Sequence, residues 1–293
     1  MPEPPARSLE DGRCVWNTGS GHTRKFINAD ARLAIPVGDD GRWMRRAAAH
    51  PIGFWGEWEA PTSVTSLSAR EPGLPTQLHR LLTPGKPPPR AQNTDPWVFG
   101  SPMRYAICRQ DAQSVLRALD DGDVVFFGSV RKGEAGFGFM LDTVFVVAEC
   151  FPYGTSRRGC DIAGEAAIDG FYLETSLMRA NASVEFGHQV LYNGRMLDQV
   201  STSPFSFVPC TPFHAPQMAG FARPFINQLF GVHFPNPQNA MMELTVDADE
   251  AWRRVSATFV RSDFGRRSRS TCPSTWRRPA GRMWRKPVYR GQL

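Results

Sequence analysis

The sequence predicts an α+β, mainly β fold: a small barrel or strongly curled mixed sheet with a few short helices. Two observations carry this. The apolar runs are short and are separated by turn signals, the grammar of strands joined by tight connections. The turn formers are also abundant, with 25 prolines and 26 glycines in 293 residues, while few stretches carry the 3.6-residue spacing of an amphipathic helix.

Residues 1–12 read as a loose leader. Cys14 to Asn17 is apolar enough for a strand, Thr18-Gly-Ser-Gly21 turns the chain, and His22 to Ile27 follows as a second extended piece. Arg32 to Val37 reads as a further strand, ended by Asp39-Asp40-Gly41. Phe54-Trp55-Gly56-Glu57-Trp58-Glu59, between Pro51 and Pro61, is expected as a short extended piece near a sheet edge. With side chains alternating, Trp55, Glu57 and Glu59 share one face and Phe54 and Trp58 the other. Leu78, Leu81 and Leu82 suggest a short helix, and Pro84 to Arg90 a stiff surface loop.

The strongest local pattern follows. Asp111 is a good N-cap, and Ala112, Val115, Leu116 and Leu119 fall at i, i+3, i+4 and i+7 of a short helix. Asp120-Asp-Gly-Asp123 stops it, Val124 to Phe127 is a strand, Gly128 to Gly138 a glycine-rich turn, and Phe139 to Val147 a long buried strand. Gly170 to Leu173, Gln189 to Tyr192 and Met241 to Val246 are further strands. Asp247 or Asp249 caps a final helix through Ala251, Trp252 and Val255.

A hydrophobic content of 41% and a charged content of 21% indicate a globular chain. No apolar run approaches a membrane span, the first residues lack the basic start and apolar core of a signal peptide, and the six cysteines form no C-x-x-C pair. A cytoplasmic protein with no membrane partner is expected. The net charge of +6 is concentrated: Arg261 to Leu293 hold ten basic residues and one acid, Asp263, and taking that surplus of nine from +6 leaves residues 1–260 at −3. Two readings fit this tail. It is a disordered arm that grips phosphates, or it is the product of a shifted reading frame in GC-rich DNA, since only four of the 34 basic residues are lysine.

Standard catalytic devices are missing: no phosphate loop, no H-E-x-x-H, no G-x-S-x-G and no G-x-G-x-x-G opening a helix. The six histidines are scattered without metal-ligand spacing, so neither a metal nor a cofactor is expected. Three segments remain. Asn17 to Lys25 combines flexible backbone donors with two cations, so Thr18, His22, Arg24 and Lys25 form a candidate phosphate cradle; the plainer alternative is a hairpin turn. Asn93-Thr-Asp-Pro-Trp-Val-Phe-Gly100 puts Asp95 beside Trp97 and Phe99, where Asp95 either caps a turn or meets a ligand. Asp142 interrupts an apolar strand, so its carboxylate must reach solvent, pair with a donor or face a ligand. Trp55, Trp58, Trp97, Phe99 and Tyr105 could together wall an aromatic cleft with Glu57, Asp95 and Asp142 as polar readers, a design suited to a flat base. The plainer alternative for the Trp-rich run is a core strand with solvated acids.

Leu119-Asp-Asp-Gly-Asp-Val-Val-Phe-Phe-Gly128 followed by Phe139 to Val147 resembles the core of PUA-like domains of the ASCH, EVE and YTH kind. With the Trp-rich run and Asp-Pro-Trp-Val-Phe-Gly it also resembles nucleotide-modification-associated domains. The chain is longer than such a domain and lacks the ASCH G-x-K-x-x-E-x-R motif. The resemblance implies a PUA-like barrel over residues 13–260 and an aromatic pocket for RNA or modified bases, with Trp55, Trp58 and Trp97 as its walls. The expected function is therefore recognition of a nucleotide or a modified base in nucleic acid, within a DNA- or RNA-modification or defence system. A rival is a nucleotide- or sugar-directed hydrolase or transferase using Glu57 and Asp142 as acid and base. A third is a structural protein of a phage or mobile element.

Overall fold

The chain from Lys25 to Gly56 forms a long hairpin. The computed structural model describes residues 7–8, 14–15, 24–38, 40–58, 62–67, 73–81, 95–110, 114–133, 136–154, 166–168, 172–173, 177, 188–212, 220–232, 241–261 and 288–292. Strands β3 (Lys25–Val37) and β4 (Arg42–Gly56) pair antiparallel across the turn at Gly38 to Gly41. One strand thus replaces the two pieces expected around 22–27 and 32–37. The Trp-rich run is no separate edge piece either: Phe54, Trp55 and Gly56 complete β4, which passes straight through Pro51, and Glu57 and Trp58 follow it. Pro51 is exposed and lies just outside the stretch where β12 (Cys210–Pro212) pairs with β4.

On one face of this hairpin Ile27, Ala29, Ala31 and Leu33 line up with Ile52 and Phe54; on the other Phe26 meets Trp55. That is the period-two separation expected of a strand. Around the hairpin an eight-stranded mixed sheet runs β1-β2-β5-β6-β3-β4-β11, with β12 also on β4. Here β1 is Arg7–Ser8, β2 Cys14–Val15, β5 Thr62–Ser66, β6 Gln77–Leu81 and β11 Val200–Ser201. Two expectations change. Part of the loose leader, β1, pairs antiparallel with β2. The helix at Leu78 to Leu82 is instead β6, which joins β3 in parallel and buries both Leu78 and His79.

The second sheet has the order β13-β14-β8-β9-β10-β7. Its centre is β8 (Val124–Gly133) against β9 (Gly136–Gly154), flanked by β10 (His188–Gly194) and β7 (Arg104–Tyr105). β13 (Met241–Glu243) pairs with β14 (Val288–Gln292), which runs parallel to β8. The segment 261–293, read either as a basic disordered arm or as the product of a shifted reading frame, contributes this strand at Val288–Gln292. The glycine-rich turn expected over 128–138 is taken up almost wholly by the two central strands. The helix at 111–119 is a single 3₁₀ turn, Ser114–Arg117, while Asp111 lies outside the described residues. Tyr172 and Leu173 are helical, not a strand. The fold is mainly β with mixed sheets. Neither sheet closes into a barrel among the described residues, since one ends at β1 and β11 and the other at β13 and β7.

Helix α1 (Ile226–Phe230) and helix α2 (Ala248–Arg261) cover one face of β8 and β9. Asp247 caps α2, its Oδ1 accepting the Glu250 N–H at 3.0 Å, and Ala251, Trp252 and Val255 are buried, together with Ala248 and Ser256. Trp43 of β4 packs edge-on against Trp252 at 5.9 Å, so the hairpin also leans on this helix.

The pairing of β8 and β9 contains a bulge. Phe127 faces Thr143 and Gly128 faces Leu141, which leaves Asp142 as the extra residue. The consequence is visible in the packing. Phe139 and Leu141 enter the core beneath α2, and after the bulge Val144 and Val146 do so. An extra residue must shift the face on which successive side chains emerge. Asp142 thus sits on the opposite side from α2, pointing toward the hairpin. Gly128 makes this close approach feasible, because a Cβ there would collide with the Met140 carbonyl and the Phe139 ring. Gly128→Ala is expected to lower stability by about 1–3 kcal/mol, read as a fall in the urea midpoint with the m-value unchanged.

Candidate functional site

Arg24 precedes β3, Glu57 follows β4 and Asp142 is the bulge residue of β9, and these three meet in the interior. The Arg24 Nε donates to Asp142 Oδ2 at 2.5 Å, Nη1 donates to Glu57 Oε2, and Nη2 donates to the Gly128 carbonyl at 3.1 Å. Arg223 adds a second guanidinium, donating to Asp142 Oδ1 at 3.2 Å and to Ser129 Oγ at 2.7 Å. It lies over the Trp55 ring, 4.8 Å from the centroid, and Trp55 Nε1 donates to the Phe221 carbonyl at 2.8 Å. Two cations and two carboxylates therefore balance inside the protein. Burial works against the charge on Arg24, but Glu57 and Asp142 outweigh it and hold the guanidinium above even its ordinary pKa.

The phosphate cradle expected at Thr18, His22, Arg24 and Lys25 is corrected here. Arg24 is consumed by the carboxylates, and Lys25, fully buried, donates to the Trp58 carbonyl; Thr18 and His22 lie outside the described residues. The acid/base pair expected of Glu57 and Asp142 is equally altered, because one guanidinium bridges both. Beside them a void of about 10 Å³ lies between Glu57, Asp142, Pro96, Phe127 and Thr143. That is room for about one water, far below the about 300–1,000 Å³ of a ligand pocket.

The aromatic cleft divides into three places. Trp55 packs with Phe26 and Leu78, and Tyr105 with Phe127, Phe145 and Tyr192. Trp58, Trp97 and Phe99 do come together: Trp58 and Trp97 are 5.7 Å apart, Phe99 stands edge-on 4.7 Å from Trp58 and 5.3 Å from Trp97. Tyr172, which sequence reading placed on a strand with no role, completes the group 5.5 Å from Trp97. The division follows from the strands. Trp55 and Trp58 leave opposite faces of the chain, as their alternation predicted, with Trp55 and Glu57 toward the charges and Phe54 and Trp58 toward the rings; Glu59 lies outside the described residues. Tyr105 follows Arg104 on β7 and so points to the other face.

Asp95 serves the loop below the rings. Its carboxylate accepts the N–H groups of Ala106, Ile107 and Cys108 at 3.1, 3.0 and 2.6 Å, so it is a turn holder and not an edge reader. It fixes the segment that carries Trp97 into an antiparallel bridge with Arg104, at 2.7 and 2.8 Å. Arg104 is buried, lies 5.4 Å over the Tyr172 ring and donates to the Ala167 carbonyl at 2.9 Å. Phe99 and Gly100 are half-buried and Ser101 is exposed, so the cluster approaches solvent along this loop.

Among the described residues no group of His, Cys, Asp and Glu could hold a metal ion, and no helix is long and apolar enough to cross a membrane. No protein family, curated protein or solved structure matches the chain.

Two outcomes test this electrostatic description. Arg24→Met removes the guanidinium that two buried carboxylates share, leaving Arg223 on Asp142, and is expected to cost about 3–5 kcal/mol. Arg24→Lys should recover only part of that, because an ammonium cannot fork between Glu57, Asp142 and Gly128; equilibrium urea unfolding reads both. The second concerns His79, whose Nδ1 lies 2.9 Å from Thr62 Oγ1. Burial, and then the nearby Lys25 charge, push its pKa down to about 3 from 6.5. Between those values the unfolded chain binds a proton that the folded chain refuses, so stability falls as pH drops from 6.5 toward 3. Asp123, raised to about 6 by burial and then by Asp121, acts oppositely, losing stability as pH rises from 3.8 to 6. His79→Gln is therefore expected to lose less stability than the wild type between pH 7.5 and pH 5; equal losses would refute the assignment.

Proposed function

We propose that the protein binds a nucleobase, free or within nucleic acid, at the Trp58–Trp97–Phe99–Tyr172 cluster. The observation that carries this reading is the convergence of three rings named from sequence with a buried guanidinium, that of Arg104, on a loop that reaches solvent at Phe99 and Gly100. Indole and phenol faces stack on any base, and each stacked base is worth about 1–3 kcal/mol. The resemblance of the β8–β9 block and the Asp95–Gly100 segment to PUA-like and nucleotide-modification-associated domains supports the same function, in a modification or defence system of the cytoplasm.

The rings pack on one another in the ligand-free protein. Phe99 is the ring a base displaces, since it is the least buried and meets both indoles by its edge. Displacing it lowers the apparent affinity by the fraction of molecules already open. The enzyme reading has weaker support: a general acid or base needs a carboxyl group within reach of the substrate proton, and Glu57 and Asp142 both face Arg24.

Titration with nucleosides and short oligonucleotides carrying unmodified and modified bases, followed by calorimetry, tests this. Trp97→Leu is expected to weaken binding about tenfold or more. Phe99→Ala should bind at least as tightly as the wild type, and Trp55→Phe should be neutral. Unchanged affinity in Trp97→Leu, together with a steep salt dependence, would assign binding to the basic 261–293 segment instead.

A further inference from the structure

The strand register places four side chains in a row that ends in the aromatic cluster. Glu149 of β9 lies opposite Asn193 of β10, Asn193 lies opposite Arg104 of β7, and Arg104 lies opposite Trp97. Directly opposed residues project to the same face, and neighbouring strands are about 4.8 Å apart. A carboxylate, a carboxamide, a guanidinium and an indole therefore stand side by side, with Leu191, two residues from Asn193, in the core that contains Trp58 and Trp97.

Asn193 is the informative member. It is 4% exposed, and its Nδ2 donates to Glu149 Oε2 at 2.9 Å. That bond fixes which way the carboxamide is turned. Its Oδ1 is buried and has no hydrogen-bond partner among the described residues. A buried acceptor left without a donor is destabilising, so such a group in a native protein calls for an explanation. Gln110, in the turn beside β10, shows a satisfied carboxamide, which gives to the Val190 carbonyl at 2.7 Å and accepts the Val190 N–H at 2.8 Å. Gln189 of β10, by contrast, like Asn193 keeps buried amide atoms without a partner among the described residues. At the far end of the row, Gly100 leaves open the approach to Trp97 and Arg104. A Cβ there would stand 3.4 Å from Trp97 Nε1, 3.7 Å from Arg104 Nη1 and 3.4 Å from the Pro102 carbonyl, so two N–H groups and one acceptor border one point on the accessible loop.

We propose that Asn193 and Arg104 read the edge of the bound base, and that they select a lactam edge, an N–H beside a carbonyl, as in guanine, hypoxanthine, uracil and thymine. Asn193 Oδ1 accepts the ring N–H and Arg104 donates to the carbonyl oxygen. Guanidinium groups favour such carbonyl acceptors, guanine O6 being the commonest partner of arginine in base recognition. The inference rests on the reading of the aromatic cluster as a base site, which supplies the stacking but no choice among bases.

The test compares guanosine and uridine with adenosine and cytidine, and with 1-methylguanosine and 3-methyluridine, in which a methyl group replaces the ring N–H. Calorimetry on the full chain is run for the wild type, for Asn193→Leu and for Trp97→Leu. The wild type is expected to favour guanosine and uridine, and to lose tenfold or more on N-methylation. Asn193→Leu should bind guanosine tenfold or more weakly and no longer distinguish it from its methylated form, while far-ultraviolet circular dichroism reports that it is folded. If Asn193→Leu is instead unfolded, Asn193→Ser provides the same comparison. A wild type that binds bases through Trp97 but ignores N-methylation, or an Asn193 variant with unchanged selectivity, overturns the edge assignment and leaves the base site standing. A wild type that binds none of the six nucleosides overturns both.

Discussion

The Arg24 guanidinium is the constraint around which the rest is arranged. It joins the start of β3, the end of β4, the carbonyl of Gly128 on β8 and the bulge residue of β9, four points contributed by both sheets. A hydrophobic contact could hold those points together without caring about register. A fork of donors cannot, because each N–H must meet its own oxygen and a missed partner leaves a charge in the interior. The bulge is the necessary counterpart. Alternation from Leu141 already directs the Asp142 carboxylate away from the apolar core under α2, and the extra residue returns Val144 and Val146 to that core. The second guanidinium follows for the same reason. Asp142 has a second oxygen to satisfy, and Arg223 supplies it while covering Trp55.

This explains which parts of the molecule were legible in the sequence. Local periodicity was sufficient for β8, β9, β10 and α2, and for the opposite faces of Trp55 and Trp58, because each depends on alternation within a single segment. The Asp142 carboxylate was legible as a problem, since a charge in an apolar run must be answered, but its answer lay in a residue more than a hundred positions earlier. Arg24 itself gave the wrong signal: two adjacent cations after a glycine-rich stretch look like a phosphate cradle until a buried acid from another strand claims one of them. β5 and β6 were lost for a different reason. Thr62 to Ser66 has almost no apolar content, and its place in the sheet comes from pairing with β6, not from a buried stripe of its own. Pro51 misled in the same manner, because a proline forbids a ladder bond only on the side where a neighbour needs one.

The aromatic residues illustrate the limit of grouping by type. Five were expected around one cleft, and tertiary pairing distributes them among three cores. Trp58, Trp97 and Phe99 share a core because the end of β4 and the Asp95–Gly100 loop converge. Trp55 is separated because it leaves the opposite face of the chain from Phe54 and Trp58, and Tyr105 is set apart by one position on β7. Two residues of the resulting cluster had no sequence signal. Arg104 looks like any surface arginine until its strand is paired on both sides, and Tyr172 sits in a segment whose apolar content fits a strand as well as a helical turn.

The two polar centres differ in what they leave unfinished, and that difference separates frame from site. Around Arg24, donors and acceptors answer one another and the remaining void is water-sized, so any ligand admitted there would have to break charge pairs worth several kcal/mol. Along the row from Glu149 to Trp97 a buried acceptor is left over, beside rings whose outermost member borders solvent. A base bound there as proposed would gain a hydrogen bond that the free protein lacks and would give up only aromatic contacts that its own stacking restores. Binding is favoured where the folded chain is incompletely satisfied and yields at small cost, and among the described residues the Asn193–Trp97 row meets both conditions.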